Sequence, residues 1–269
     1  MHKLRLITPT RIPVKNAHAS TVEVLGKSIV AGQYPVGASL PPEPQLCENF
    51  GVSRTVVRES IKSLVAKGLI VTGPKLGTRV LPEDQWNWFD PDVVAWKSKM
   101  GLTREFLRDL QDLRRVIEPA AVRLAAERAT ALDIQDIEAA YAGMKHAIEF
   151  GGDYVTHDLL FHQGLLRACH NRMVAQMSKA IGALLRTSFE ITTTRPNGKA
   201  LSLPLHRDVL DAVIARAPDA AEKAVLLLID SVREDIETVL DSNQKLPSVS
   251  HPAVSLRAPR AMREHSPRL

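Results

Sequence analysis

Only two cysteines, Cys47 and Cys169, occur in 269 residues. Neither stands in a pairing or metal-clustering pattern, which excludes a disulfide framework and a thiolate zinc site. Aromatic residues amount to 4% while Ala and Leu are plentiful, a balance that disfavours a large β-sandwich and favours helices. The longest unbroken apolar run is Ala224–Ile229, far short of the ~20 residues a membrane span requires. No transmembrane helix and no membrane partner are therefore expected. Met1–Asn16 mixes basic residues and prolines without a continuous apolar stretch, unlike a secretory signal. These absences imply a cytoplasmic protein. What is present, 45% hydrophobic and 24% charged residues, suits a globular chain of two domains.

The charge is unevenly spread. Residues 1–82 carry 11 Lys and Arg against 4 Asp and Glu, residues 83–242 carry 19 against 25, and residues 243–269 carry 5 against 1. A basic block followed by an acidic one is the pattern of a nucleic-acid-binding domain joined to a domain of another kind. Five parts follow: a flexible basic N-terminus (1–17), a DNA-binding domain (18–82), a connector (83–102), a helical domain (103–242) and a disordered basic tail (243–269).

Within the basic block, Val22, Leu25 and Ile29 recur at helical spacing before Gly32, predicting a helix over His18–Ala31. A second short helix is predicted over Pro44–Phe50 and a third over Arg54–Lys67. Between them lies Gly51-Val52-Ser53, where Gly51 can take a positive φ and Ser53 can cap the third helix. Two apolar strips, Leu69–Thr72 and Thr78–Leu81, flank a Gly/Pro/Lys turn and read as a hairpin. Three helices and a hairpin make a winged helix-turn-helix, whose third helix enters the major groove. Arg54, Thr55 and Arg58 then form the reading face, with Ser53 at its start. Lys75 and Gly77, at the wing tip, reach an adjacent groove or phosphate. The plain alternative is a set of solvated surface charges.

The connector holds all three tryptophans, Trp86, Trp88 and Trp96. Packing the domains together is their expected role, because Asp84, Asp90 and Asp92 beside them disfavour stacking on nucleic acid. Beyond Thr103 the chain reads as successive helices, with Leu110, Leu113, Ile117, Ala121 and Leu124 as one inward stripe, and an antiparallel bundle follows. The fold class is thus mainly α, a winged helix-turn-helix followed by an all-helical bundle. Asp158 and His162 stand at i and i+4 on a face that also carries Leu165, Leu166 and Cys169, and His206 starts another inward stripe. A carboxylate and two imidazoles converging in a bundle can hold Zn²⁺ or a related divalent ion, or can form a hydrogen-bonded network without one.

Leu40-Pro41-Pro42-Glu43…Leu46…Phe50-Gly51-Val52-Ser53-Arg54…Val57-Arg58-Glu59…Leu64…Gly68-Leu69-Ile70 resembles the N-terminal domain of GntR-type bacterial transcription regulators. The resemblance covers residues 18–82. One departure is Pro44, where the family often carries a DNA-contacting arginine. Arg114…Glu118…Leu124-Ala125-Ala126, Asp158…His162 and His206 resemble the effector-binding FCD domain of the FadR subfamily. That resemblance implies a metal on Asp158, His162 and His206, with a fourth histidine ligand replaced here by Leu228. It also implies a small carboxylate effector clamped by Arg114, for which a salt bridge to Glu118 is the alternative role. Asn171 and Arg186 are further effector-binding candidates. The run Gln85-Trp86-Asn87-Trp88-Phe89-Asp90 and the segment from Ile117 to Thr130 are most similar to the galactonate-operon repressor branch, which points to a sugar acid.

The reading that follows is a non-enzymatic, ligand-responsive repressor, binding as a homodimer to a palindromic double-stranded operator. One rival is a metal-dependent hydrolase built on the Asp/His site. Another is a DNA-binding protein whose helical half only dimerises.

Overall fold

A computed structural model of the chain describes residues 16–100, 103–193, 195 and 197–241. The regions expected to be a basic N-terminal arm and a basic tail lie outside them, save Asn16 and Ala17. The first helix, α1 (Ala17–Val30), is followed by α2 (Glu43–Phe50) and α3 (Arg54–Ala66). Gly51 closes α2 at φ 66°, in the left-handed region that glycine enters without a Cβ clash. Ser53 then caps α3, its hydroxyl accepting from the Val56 amide at 3.3 Å. Apolar residues from all three helices, Leu25, Leu46, Phe50, Val57 and Leu64 among them, close one core.

The wing is the antiparallel pair β1 (Ile70–Gly73) and β2 (Gly77–Val80), registered Ile70 to Val80. A third segment escaped the sequence reading. Ser39 bridges to Arg79, and the amides of Leu40 and Val80 are exchanged with the carbonyls of Thr78 and Ala38. Val36, Ala38 and Leu40 do alternate with Gly37 and Ser39, but the stretch is short and ends at Pro41-Pro42, too little to mark a strand on periodicity alone.

The connector is not a bare linker. It contains α4 (Pro91–Met100), and Trp86 and Trp96 lie in the winged-helix core itself. Trp88 alone among the tryptophans meets a ring of the helical half, Phe106 at 5.1 Å. Gly26 of α1 lets α4 approach: a Cβ there would lie 2.2 Å from the Trp96 ring. Gly26→Ala is expected to cost about 1–3 kcal/mol through this overlap, more than the small helix-propensity gain returns. Urea unfolding of the variant measures it, and an unchanged midpoint would mean that α4 is free to shift.

The helical half comprises α5 (Arg104–Arg128), α6 (Ala131–Phe150), α7 (Tyr154–Ala168), α8 (Arg172–Thr192), α9 (Gly198–Ile214) and α10 (Pro218–Asp241). α5 packs on α10 and α7, α6 on α7 and α9, and α9 on α10. Thr130 and Asp133 form a reciprocal capping box at the start of α6. The inward stripe of α5 differs from the apolar one read from the sequence. Of the expected stripe Leu110 and Ala121 are buried and Leu113, Ile117 and Leu124 only partly so, while Leu107, Gln111, Arg114, Glu118, Val122 and Ala125 are buried as well. Three of the inward positions are polar: Gln111 pairs with Ser188 of α8, Glu118 with His162 of α7, and Arg114 with Glu118 on α5 itself.

Candidate functional site

Two places concentrate polar chemistry. On the winged helix, Arg54, Thr55 and Arg58 are exposed in the first turns of α3, and Lys75 is exposed at the wing turn with φ 62°. An open groove of about 730 Å³ runs between α3 and the wing, lined by Glu43, Arg58, Lys62, Thr72 and Gly77 among others. Arg58 is not free in it: its Nε donates to Glu43 Oε2 at 2.9 Å. The terminal nitrogens of that guanidinium remain available to a ligand. Ser53 is spent on its cap.

The second place lies within the bundle. Asp158 and His162 on α7 and His206 on α9 are all buried, and one ligand atom from each lies within 4.8 Å of the others. His206 Nε2 is 3.1 Å from Asp158 Oδ1, and His162 Nε2 is 3.4 Å from the same oxygen. The outer ring nitrogens are held from behind. His162 Nδ1 is 2.9 Å from Glu118 Oε2, and His206 Nδ1 is 2.9 Å from the Ser202 carbonyl. The carboxylate and the carbonyl cannot donate, so both Nδ1 atoms carry the proton, with the Ser202 hydroxyl a second, longer contact of His206 Nδ1 at 3.2 Å. Both Nε2 lone pairs then face Asp158 and each other. Three acceptors with no donor between them call for a cation, either a divalent ion or an added proton on one imidazole. Supporting the outer nitrogen with a carboxylate or carbonyl is how proteins orient metal-ligating histidines.

Glu118 is the hinge of a longer chain. Burial favours its neutral form, but the Arg114 guanidinium and His162 outweigh burial and bring its pKa down to about 2. Arg114 Nε donates to Glu118 Oε1 at 2.7 Å, and its guanidinium lies 5.3 Å from the Phe189 ring of α8. Arg114 is 1% exposed, yet its Nη1 has no hydrogen-bond partner. The bridge to Glu118 and an available donor therefore coexist in one side chain and are not alternatives.

The structure brings together Arg114, Asp158, His162 and His206, but not every residue expected with them. The Asn171 carboxamide oxygen caps α8, accepting from the amides of Met173 and Val174 at 3.0 and 3.4 Å, so that this oxygen is committed to the helix it begins. Arg186 Nη2 donates to Thr156 Oγ1 at 3.1 Å, and its Nη1 stands 4.0 Å from Glu190; no contact links it to the histidines. Leu228 is fully buried in the apolar core. Gln111 and Ser188, which sequence reasoning passed over, are buried beside this chain, the Gln111 amide donating to Ser188 Oγ at 3.1 Å. The available signal was the spacing of Gln111, Arg114 and Glu118 at i, i+3 and i+7.

Comparison with known proteins gives one answer for both halves. Residues 18–80 match the family described as bacterial regulatory proteins, gntR family, and residues 109–231 match the FCD domain. Over 211 residues the chain is 37% identical to the galactonate operon transcriptional repressor of Escherichia coli K12, covering 78% of this chain and 92% of that protein. It is 32% identical over 224 residues to the uncharacterized HTH-type transcriptional regulator YieP of the same strain, covering 81% and 94%. Among solved structures, Lar of Listeria monocytogenes shares the fold with a TM-score of 0.60 at 16% identity, over 84% of this chain and 99% of that one.

Proposed function

Because this chain belongs to the gntR family of bacterial regulatory proteins and carries an FCD domain, we propose that it is a repressor released from its operator by a small carboxylate, with a sugar acid as the effector. The general character needs no proposal: it is a DNA-binding transcription regulator and not an enzyme. Repression and a sugar acid are suggested by the relative named for the galactonate operon. The observation that carries the ligand-responsive reading is the buried chain Arg114–Glu118–His162–Asp158–His206, which ends in a guanidinium nitrogen without a partner. A domain that served only to dimerise would fill such a core with apolar side chains, since unpaired buried donors destabilise it.

Arg114 is the clamp in this reading, since a guanidinium matches a carboxylate and retains its charge when buried. Asp158, His162 and His206 fit a divalent ion such as Zn²⁺: three protein ligands of suitable chemistry, two of them oriented from behind, with room in the coordination sphere for effector oxygen or water. A bound ion would supply a fixed positive charge for the effector's oxygens. With Leu228 at the expected place of a fourth ligand, such an ion is held less firmly than by four protein ligands.

On the DNA side, Arg54, Thr55 and Arg58 read base edges, and Lys75 and the Gly77 backbone approach phosphates. A homodimer places two α3 helices on a palindromic site. Coupling between the halves runs through α4. Trp96 rests on α1 beside Gly26, while Val94 packs against Leu110 of α5 and Leu184 of α8. A change in the spacing of α5 and α8 around an effector thus reaches the DNA-binding domain, and the two affinities are linked reciprocally.

Operator release tests the reading, using a duplex selected from randomised DNA, with galactonate as the probe and fluorescence anisotropy as the measurement. Galactonate should dissociate the complex, elemental analysis of protein purified without chelator should show a divalent ion, and chelation should blunt the response. A metal-free protein that still answers galactonate would reduce the Asp/His cluster to a polar core network. Failure of every hydroxy acid tried to release the operator would remove the effector reading.

A further inference from the structure

The assignment of Arg114 to a carboxylate says nothing of what else the effector carries. Gln111 lies one turn before Arg114 on the same buried face of α5 and is itself 1% exposed. Its Nε2 donates to Ser188 Oγ, and its Oε1 has no hydrogen-bond partner. Turning the amide over exchanges the two roles and still leaves one buried polar atom alone. Gln111 and Arg114 meet adjacent residues of α8, Gln111 through Ser188 and Arg114 through the Phe189 ring. That same ring lies 5.2 Å from His162. The two unpartnered atoms, Gln111 Oε1 and Arg114 Nη1, therefore belong to α5 side chains that contact the same turn of α8.

Resting on the proposed binding of a carboxylate at Arg114, we propose that Gln111, supported by Ser188, reads a hydroxyl of the effector and makes the site selective for hydroxy acids over plain carboxylates of similar length. A hydroxyl both donates and accepts, so it completes the amide in either orientation. A methylene completes neither. Residues at i and i+3 on a helix are neighbours about 5–6 Å apart at Cβ, a separation suited to a carboxylate and a hydroxyl on a nearby carbon of one small molecule. A site whose polar groups are left unpaired by the wrong ligand discriminates against it strongly.

The arrangement makes a prediction that a structural role for Gln111 would not. An unpartnered buried amide destabilises the ligand-free protein, so Gln111→Leu combined with Ser188→Ala, which leaves no partner stranded, should raise, or at least hold, its melting temperature while weakening the response to a hydroxy acid. The probes are galactonate and hexanoate, read by operator release and by thermal melts of the full chain. Wild type should respond to galactonate at lower concentration than to hexanoate. In Gln111→Leu, and in the double variant Gln111→Leu, Ser188→Ala, the galactonate requirement should rise by about tenfold or more, with that for hexanoate unchanged. A variant that melts lower and loses both responses alike, or that no longer binds operator, would show Gln111 to be structural and overturn the proposal. Retention of the wild-type preference for galactonate would overturn it as well. If neither acid acts on wild type, the carboxylate reading at Arg114 fails first, and it fails before any variant is made.

Discussion

Arg114→Ala is expected to lose about 3–5 kcal/mol of folding stability, because it strands a buried carboxylate. Glu118 would keep only His162 as a charge partner in a fully buried position, having lost the guanidinium that holds its pKa down. Equilibrium unfolding in urea measures the loss. Replacing both partners, as in Arg114→Met with Glu118→Met, should recover most of it, since two apolar side chains leave no charge unpaired. That double variant should fold and bind operator, yet fail to release it on adding galactonate, having lost both the clamp and the carboxylate that holds His162 Nδ1. Arg114→Ala with wild-type stability would mean that Glu118 does not depend on the ion pair. A double variant that still responds to galactonate would move the clamp elsewhere, with Arg186 the next candidate.

Arg54→Ala and Arg58→Ala should each weaken operator binding by about 1–3 kcal/mol, roughly ten- to a hundredfold, if they contact bases. Both side chains are exposed on α3 and neither holds the core, so melting temperatures should barely move. The two are not equivalent. Arg58 is oriented by Glu43 through its Nε, which leaves the terminal nitrogens free to donate in pairs to guanine. Arg58→Lys should therefore recover the charge without recovering the affinity, because an ammonium cannot reproduce the fork. Anisotropy on the operator duplex at fixed salt is the measurement, and wild-type binding should fall steeply as salt rises. Unchanged affinity in both alanine variants would remove α3 as the reading helix.

Much of this protein is written in short-range signals. Helix positions follow from apolar spacing, and their ends from Ser53, Gly51 and Thr130, each acting on amides within a few residues. The winged-helix pattern of residues 18–82 and the Asp158/His162 pair on one helical face needed nothing beyond local geometry and family resemblance. The same local logic covers Asn171, whose carboxamide oxygen is used by the helix it begins.

What only tertiary structure decided is how polar residues far apart in the chain meet. His162 faces Glu118 from 44 positions away and His206 faces Asp158 from 48. The spacing of one helix cannot tell whether a polar residue on it turns to water or to a partner on another. An apolar stripe is therefore the default expectation, and α5 departs from it at Gln111, Arg114 and Glu118. The sequence by itself determined the class of fold, the kind of protein and the inward placing of Asp158, His162 and His206. The packing of α5, α7, α8 and α9 decided that Arg114 both bridges Glu118 and keeps a free donor, and that Gln111 stands beside it. The physical reason is range: caps and periodicity act over one or two turns, whereas a buried polar site exists only once distant helices exclude water together and leave its atoms no other partners.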